Sequence, residues 1–339
     1  MPERFLSAVD SPEAPNGTTA DPIVVEILET LAGLARKINA SSKNDLSTYY
    51  FRGQLVRYFL DLNLIRRCVP SGRMLDVGTF PSHLHECLLD LGYDVYGADL
   101  DPSRIQEELI NAKKKTIAFN VESDAWPNEM LGSFDVILCL EVVEHFHINL
   151  LRFLENLHRS VKFGGHVLVS TPNLLSFSNR VKFVLGKQVL EHPLSVFEKY
   201  ERQGHRGHLR LYSMREITDL LEVYGFTVKK CWFLRYESPL LPWSVYRNHL
   251  SPTFDADLFS SLWRENFSFK GRVRRRLVMA FDKTFPSLNN NLYVMAQKVR
   301  DFDREAFLKK LKEADPWADL EKLAYKVKSH RAAGGTDGP

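Results

Sequence analysis

Residues 74–102, MLDVGTFPSHLHECLLDLGYDVYGADLDP, carry the pattern on which the fold turns. A short apolar run, MLDV, ends on an acid and a glycine. A stretch able to hold one helix follows, Gly92 turns the chain back, and a second run, DVYGADL (94–100), ends on another acid. Strand, helix, turn and strand in about 25 residues is the signature of a βα unit in a parallel sheet.

The rhythm continues on both sides. RMLDVG (73–78), DVYGADL (94–100), TIAFNV (116–121), FDVILCLE (134–141), GHVLVSTP (165–172), FTVKKCWFL (226–234) and NNLYVMAQKV (290–299) are seven candidate strands. Gly92, Gly132 with Ser133, and Gly164 with Gly165 mark returns into strands. The reading is a doubly wound α/β sheet over 71–300. Inserts at 173–210 and 236–289 break the rhythm. Upstream, Ile23, Ile27, Leu28, Leu31, Leu34 and Ile38 recur at helical spacing, and a second helical pattern reaches Cys68, giving a helical cap over 23–70. Residues 1–22 read as a flexible arm, 301–329 as a charged helix and 330–339 as a disordered tail.

Composition limits the function classes. With 339 residues, 44% hydrophobic and 26% charged, the chain is globular rather than disordered or fibrous. Lys plus Arg at 45 against Asp plus Glu at 42 gives +3, too balanced to argue for a nucleic-acid binder. Four scattered cysteines without a CxxC predict reduced thiols. The N-terminus lacks the apolar run of a secretory signal and no run of about 18 apolar residues occurs, so a cytoplasmic location is expected.

In an open parallel sheet, ligands bind beyond the carboxyl ends of the strands. Those ends are polar here: Asp76-Val77-Gly78, Asp99-Leu100-Asp101, Asn120-Val121-Glu122 and Leu140-Glu141. Steps of 23, 21 and 21 residues separate Asp76, Asp99, Asn120 and Glu141. Such a row of acceptors suits a ligand that offers an ammonium, a ribose diol and an adenine amino group. A G-x-G-x-x-G after the first strand would point to a nicotinamide enzyme, but GTFPSH stands there.

At these residues the sequence resembles class I S-adenosylmethionine-dependent methyltransferases, in particular the bacterial group that modifies small molecules, glycans and lipid-linked precursors. The matching stretches are residues 74–102, FNVESDAWPNEMLGSFDVILCLEVVEHF (119–146), VKFGGHVLVSTPNLLS (161–176) and HLRLYSMREITDLLEVYGF (208–226). The resemblance implies a Rossmann-like, seven-stranded sheet whose last strand is antiparallel, with S-adenosylmethionine as cofactor. It implies that Asp76 and Gly78 lie by the methionine part, that Asp99 with Leu100 meets the ribose, that Asn120 and Val121 flank the adenine, and that Leu140 and Glu141 close the site. The family's GxG continuation is replaced by Thr79-Phe80-Pro81-Ser82. In this variant loop, a hydroxyl and the amides at the next helix start can meet the cofactor carboxylate.

A hydroxyl acceptor needs its proton removed, and histidine is the natural base. His145, four residues after Glu141 and next to Glu144, is the first candidate. His208 is the second. Close histidine pairs (His83 and His85, His145 and His147, His205 and His208) lie in separate predicted elements, and no metal is expected. The expected reaction is O-methylation of a small-molecule, saccharide or lipid-linked hydroxyl. The alternatives are an N-methyltransferase that needs no base, and a cofactor-binding scaffold or sensor. Asn173, Phe177, Asn179, Arg180, His192, Tyr200, Arg206 and His208 in the first insert suit a hydroxylated acceptor. KGRVRRR (270–276), with Trp263, Phe267 and Phe269, predicts a peripheral membrane contact over 263–281.

Overall fold

The computed structural model describes residues 20–39, 46–122, 126–146, 150–203, 207–234, 241–263 and 284–314. Seven strands form one sheet in the order β3-β2-β1-β4-β5-β7-β6. They are β1 (Met74–Val77), β2 (Val95–Asp99), β3 (Thr116–Ala118), β4 (Phe134–Leu140), β5 (Val161–Pro172), β6 (Phe226–Leu234) and β7 (Asn291–Lys298). β1 pairs in parallel with β2 and β4, whereas β7 runs antiparallel to both β5 and β6. The chain steps from β1 outward to β2 and β3, then returns to place β4 on the other flank. The sheet therefore reverses direction at β1 and β4, and a crevice opens beyond their carboxyl ends.

Helices cover both faces, which is why the central strands are apolar throughout rather than alternating. All four residues of β1 are buried. Along β4, Val136 and Leu138 join one apolar cluster while Ile137 and Cys139 join the other, the two-residue period of a strand. The first cluster takes in α1 (Pro22–Asn39), α2 (Leu46–Cys68) and α3 (His83–Asp90), so the predicted cap shares the core of the sheet. α4 (Ile110–Lys115) leads into β3. α5 (Leu150–Ser160) and α8 (Met214–Val223) fill the second cluster through Phe153, Leu157, Ile217 and Leu221. A capping box between Ser213 and Glu216 fixes the start of α8.

Some boundaries differ from the sequence reading. β3 stops at Ala118 instead of Val121, because Asn120 turns its side-chain oxygen onto the Glu122 amide and ends the strand in a local turn. β5 starts at Val161, so Gly164 and Gly165 lie within it; the register against β4 jumps from Val161 to His166, and the glycines form the bulge between. The first insert holds α6 (Phe177–Val184) and α7 (Pro193–Gln203). The second holds a short α9 (Trp243–Tyr246), and α10 (Arg304–Ala314) stands for the C-terminal helix. Trp263 is buried, with its indole N–H donated to the Ala256 carbonyl, so this residue offers nothing to a membrane. The rest of the predicted contact, 264–281, lies outside the described residues, as do 1–19 and 315–339. Among the described residues no helix is long and apolar enough to cross a membrane.

One polar group interrupts the first cluster. Asp61 on α2 is 2% exposed and accepts a hydrogen bond from the Tyr293 hydroxyl of β7 at 2.5 Å. Burial pushes its carboxyl up to about 7, against the opposing pull of Arg57. Between about pH 4 and 7 the folded protein thus keeps a proton that the unfolded chain has released, and stability falls as pH rises across that window. Asp61→Asn keeps an acceptor for Tyr293 and cannot ionise. Its stability relative to the wild type is expected to rise from pH 5 to pH 8 by at most ~3 kcal/mol, measured by urea denaturation at each pH. Parallel pH profiles would show that Asp61 does not titrate in the folded state.

Candidate active site

Four strand ends and two loops build the site. Gly78 follows β1 with φ of 71°, and a Cβ there would sit 2.8 Å from Val142 Cγ2, so the backbone runs against the turn that follows β4. Only glycine fits this position without strain. The next residues form the variant loop. Thr79 is buried and its hydroxyl has no hydrogen-bond partner among the described residues; the same is true of Ser82, which precedes α3 at φ of 69° without capping it. Two buried hydroxyls and the first amides of α3 are thus left with hydrogen-bonding capacity at one place. That capacity suits a carboxylate.

Asp99, at the end of β2, accepts from the Phe80 amide at 2.9 Å and from the Asp101 amide at 3.1 Å. Both carboxylate oxygens are aimed by backbone, and each retains a lone pair for a further donor. The variant loop therefore uses the Phe80 amide to orient the Asp99 carboxylate. The Phe80 ring lies under the Arg104 guanidinium at 4.1 Å, and Leu100 beside Asp99 is exposed. Asp76 is buried with its carboxylate 3.6 Å from His85 Nδ1. Val121 is buried and its carbonyl accepts from the Trp126 indole. The Asn120 oxygen already accepts from the Glu122 amide, which leaves its amide nitrogen and one lone pair for a ligand.

Beyond β4 the chain does not form the helix on which the Glu141 and His145 spacing rested. Glu141 adopts φ of 57°, and a single 3-10 turn spans Val143–His145, so the two side chains do not share a helical face. Glu141 is held instead from two neighbouring strands. Its Oε1 accepts from the Ser170 hydroxyl at 2.9 Å and its Oε2 from Asn291 Nδ2 at 3.0 Å. The sequence reading missed Ser170 and Asn291, which hold Glu141, and the buried pair of Asp61 and Tyr293. The polar Ser170-Thr171 pair ending an apolar strand was a readable signal. Asp61 looks like any helix-surface acid.

Glu144, His145 and His208 come together. Glu144 is buried, its Oε2 accepting from the Thr171 hydroxyl at 3.0 Å. Burial, reinforced by the Glu141 carboxylate, holds its acid well above the usual carboxylate range. Its backbone carbonyl accepts the Leu209 amide at 2.8 Å, which docks the 207–212 segment on this turn. His145 Nδ1 donates to the Gly207 carbonyl at 2.5 Å, so in the neutral ring the lone pair is on Nε2, 3.9 Å from Glu144 Oε1. The His145 and His208 rings lie 4.9 Å apart. The sequence reading had these histidines in separate elements; folding joins them. One ligand atom from each of the three residues lies within 4.8 Å of the others, a set that can move a proton or hold a divalent cation.

A family model described as a methyltransferase domain matches residues 50–230, more than half of the chain and all of the strand ends above. The chain belongs to this methyltransferase family. It is a class I S-adenosylmethionine-dependent methyltransferase, and the acids Asp76, Asp99 and Glu141 stand at or next to the carboxyl ends of three of its central strands. Among its relatives is a ubiquinone biosynthesis O-methyltransferase of Rickettsia canadensis, 26% identical over 176 residues that span 52% of this methyltransferase and 71% of the relative. A Pseudomonas aeruginosa enzyme of the same name is 30% identical over 157 residues, 44% of this chain and 66% of its own. A crystal structure of an S-adenosylmethionine-dependent methyltransferase from Archaeoglobus fulgidus aligns over 75% of this chain and 100% of its own, with 15% identity and a TM-score of 0.42.

The first insert of this methyltransferase departs from the expected acceptor pocket. Asn173 is buried and donates to the Ser287 and Asn289 carbonyls; Asn179 Nδ2 donates to the Asn173 carbonyl and Arg180 Nε to the Leu175 carbonyl. Asn179 and Arg180 thus hold the insert's own backbone, and Asn173 ties the insert to the turn before β7. His192 Nδ1 accepts the Leu194 amide, and Phe177 and Tyr200 are exposed. Arg206, His147 and His205 lie outside the described residues.

Proposed function

We propose that this enzyme O-methylates a hydroxyl of a small molecule, with the Glu144, His145 and His208 group receiving the acceptor's proton. S-adenosylmethionine supplies a methyl on a positively charged sulfur, transferred in line to the nucleophile. The chain's part is to grip and align. The Thr79 and Ser82 hydroxyls with the first amides of α3 would take the cofactor carboxylate, Asp76 and Glu141 would face its ammonium, and Asp99 would hold the ribose diol. Asn120 and Val121 would flank the adenine, Leu100 would lie beside the ribose, and Leu140 would close the floor after β4.

The observation that carries the reading is the His145 hydrogen bond to the Gly207 carbonyl. It fixes the tautomer whose Nε2 can accept a proton, beside an acid whose ionisation burial disfavours. A base is superfluous for most amines, and the relatives named for O-methylation favour a hydroxyl. Because the amides of Asn173 and Asn179 and the Nε of Arg180 are taken by backbone carbonyls, an acceptor with an apolar part suits the insert better than a free sugar. Incubation with isotopically labelled cofactor and fractionated cell extract, followed by mass analysis of the labelled product, tests the reading. A methyl ether is expected; a labelled amine would reassign the acceptor atom, and cofactor binding without any labelled product would reassign the chain to a sensor.

The mutual distances in the group favour a second reading, in which a divalent cation bound there polarises the hydroxyl. Exhaustive chelation separates the two. Under the base reading turnover survives it, whereas loss restored by one divalent ion alone moves the role to the metal.

A further inference from the structure

The insert after β5 has a surface that methyl transfer does not use. Ten of the 21 large apolar side chains that stand exposed among the described residues lie between Leu175 and Tyr200, so this one segment is the dominant apolar surface. Phe183 is 78% exposed, Val184 83%, Leu194 73% and Phe197 65%. α6 buries no residue at all. A helix of eight residues is far below the length of about 12–15 that is marginal alone in water, and packing normally supplies the rest. Here the support is polar and sits at one end. The Ser176 hydroxyl caps the Asn179 amide, and Asn179 and Arg180 tie down the preceding turn. The apolar end is left projecting.

Charge decides what fits it. From 173 to 190 there is no Asp or Glu, while Arg180, Lys182 and Lys187 are present, exposed and without an ion pair to any described residue. A second copy packed face to face would set these cations against each other. An anionic bilayer offers both partners at once: phosphates for the three cations and acyl chains for the Phe and Leu side chains.

We propose that the α6 and α7 insert is a membrane-docking element that seats its apolar end in the headgroup boundary of a bilayer rich in anionic lipid. The element is joined to the catalytic group. A Cβ on Gly207 would sit 2.7 Å from Val196 of α7, so α7 packs on the residue whose carbonyl accepts the His145 Nδ1–H hydrogen bond. Docking would bring the acceptor side of the site to the lipid surface. This goes beyond the methyl-transfer reading and does not rest on it.

The test uses the full chain and co-sedimentation with vesicles of phosphatidylcholine alone or with about 30 mol% phosphatidylglycerol. Binding is expected to be at least about tenfold stronger on the anionic vesicles and to weaken as salt is raised. Phe183→Ser with Phe197→Ser should lower it at least about tenfold, and Lys182→Glu with Lys187→Glu should erase the preference for anionic lipid. All four side chains are away from the core, and an unchanged melting temperature shows that each variant folds. Wild-type protein that binds neither vesicle overturns the proposal, as do folded variants that bind like the wild type. A dimer in sedimentation velocity that the Phe pair variant dissolves, with no vesicle binding, gives the surface to a second copy instead.

Discussion

Replacing His145 by alanine is expected to lower turnover at saturating cofactor and acceptor by about a hundredfold, the contribution of a positioned general base. Cofactor affinity should stay near its wild-type value, because His145 is tied to the 207–212 segment docked on the turn after β4 and not to the loop between β1 and α3 or to the end of β2. The loss should therefore fall on kcat and not on the dissociation constant for S-adenosylmethionine. His208→Ala is expected to lose turnover too, since its ring packs against His145 at 4.9 Å between centroids. The two losses should not add, because the rings act as one unit. Glu144→Gln keeps the shape and still accepts from Thr171, and burial already disfavours the charge it removes, so its effect should be much smaller than that of either histidine. If both alanine variants turn over near the wild-type rate, no side chain here takes the proton. The acceptor is then an amine or thiol that needs only alignment.

The frame of the site was legible because it follows from period and punctuation. The polar residues Asp76, Asp99, Asn120 and Glu141 recur at the length of one βα unit, and each stands at or just beyond a strand end. What could not be read is long-range. Ser170 and Asn291 meet Glu141 only because β5 and β7 are neighbours, although 121 residues separate them. Asp61 carries the surface pattern of a helix acid and becomes buried because α2 lies on β7. The spacing of Glu141 and His145 misled for a local reason. The left-handed turn at Glu141 and the backbone pairing of Glu144 with Leu209 outweigh any helix in VVEHF, and the contact between His145 and His208 arises from that pairing rather than from helical geometry. The polar residues of the first insert misled in another way. Asn173, Asn179 and Arg180 look available in the sequence because backbone carbonyls, the partners they find, are not visible there.

Asp99→Ala is expected to weaken S-adenosylmethionine binding tenfold or more, about 1.4 kcal/mol or above, in a protein that remains folded. A carboxylate oriented by the Phe80 and Asp101 amides is poised to accept two hydroxyls, and its removal takes away both charge-assisted bonds. The same two amides supply a rival explanation, in which Asp99 merely pins the variant loop and alanine frees Thr79 and Phe80 to move. Affinity alone does not separate these, since both predict weaker binding. A cofactor analogue without ribose hydroxyls does. If Asp99 holds the diol, the wild type should prefer the complete cofactor strongly and the Asp99→Ala variant should bind the two ligands almost equally, a coupling measurable by calorimetry as a double-difference cycle. If Asp99 serves only the loop, both ligands should weaken by the same factor and the preference should survive. Retained preference in the alanine variant would remove the ribose from the β2 end and, with it, the placement of the cofactor across these strand tips.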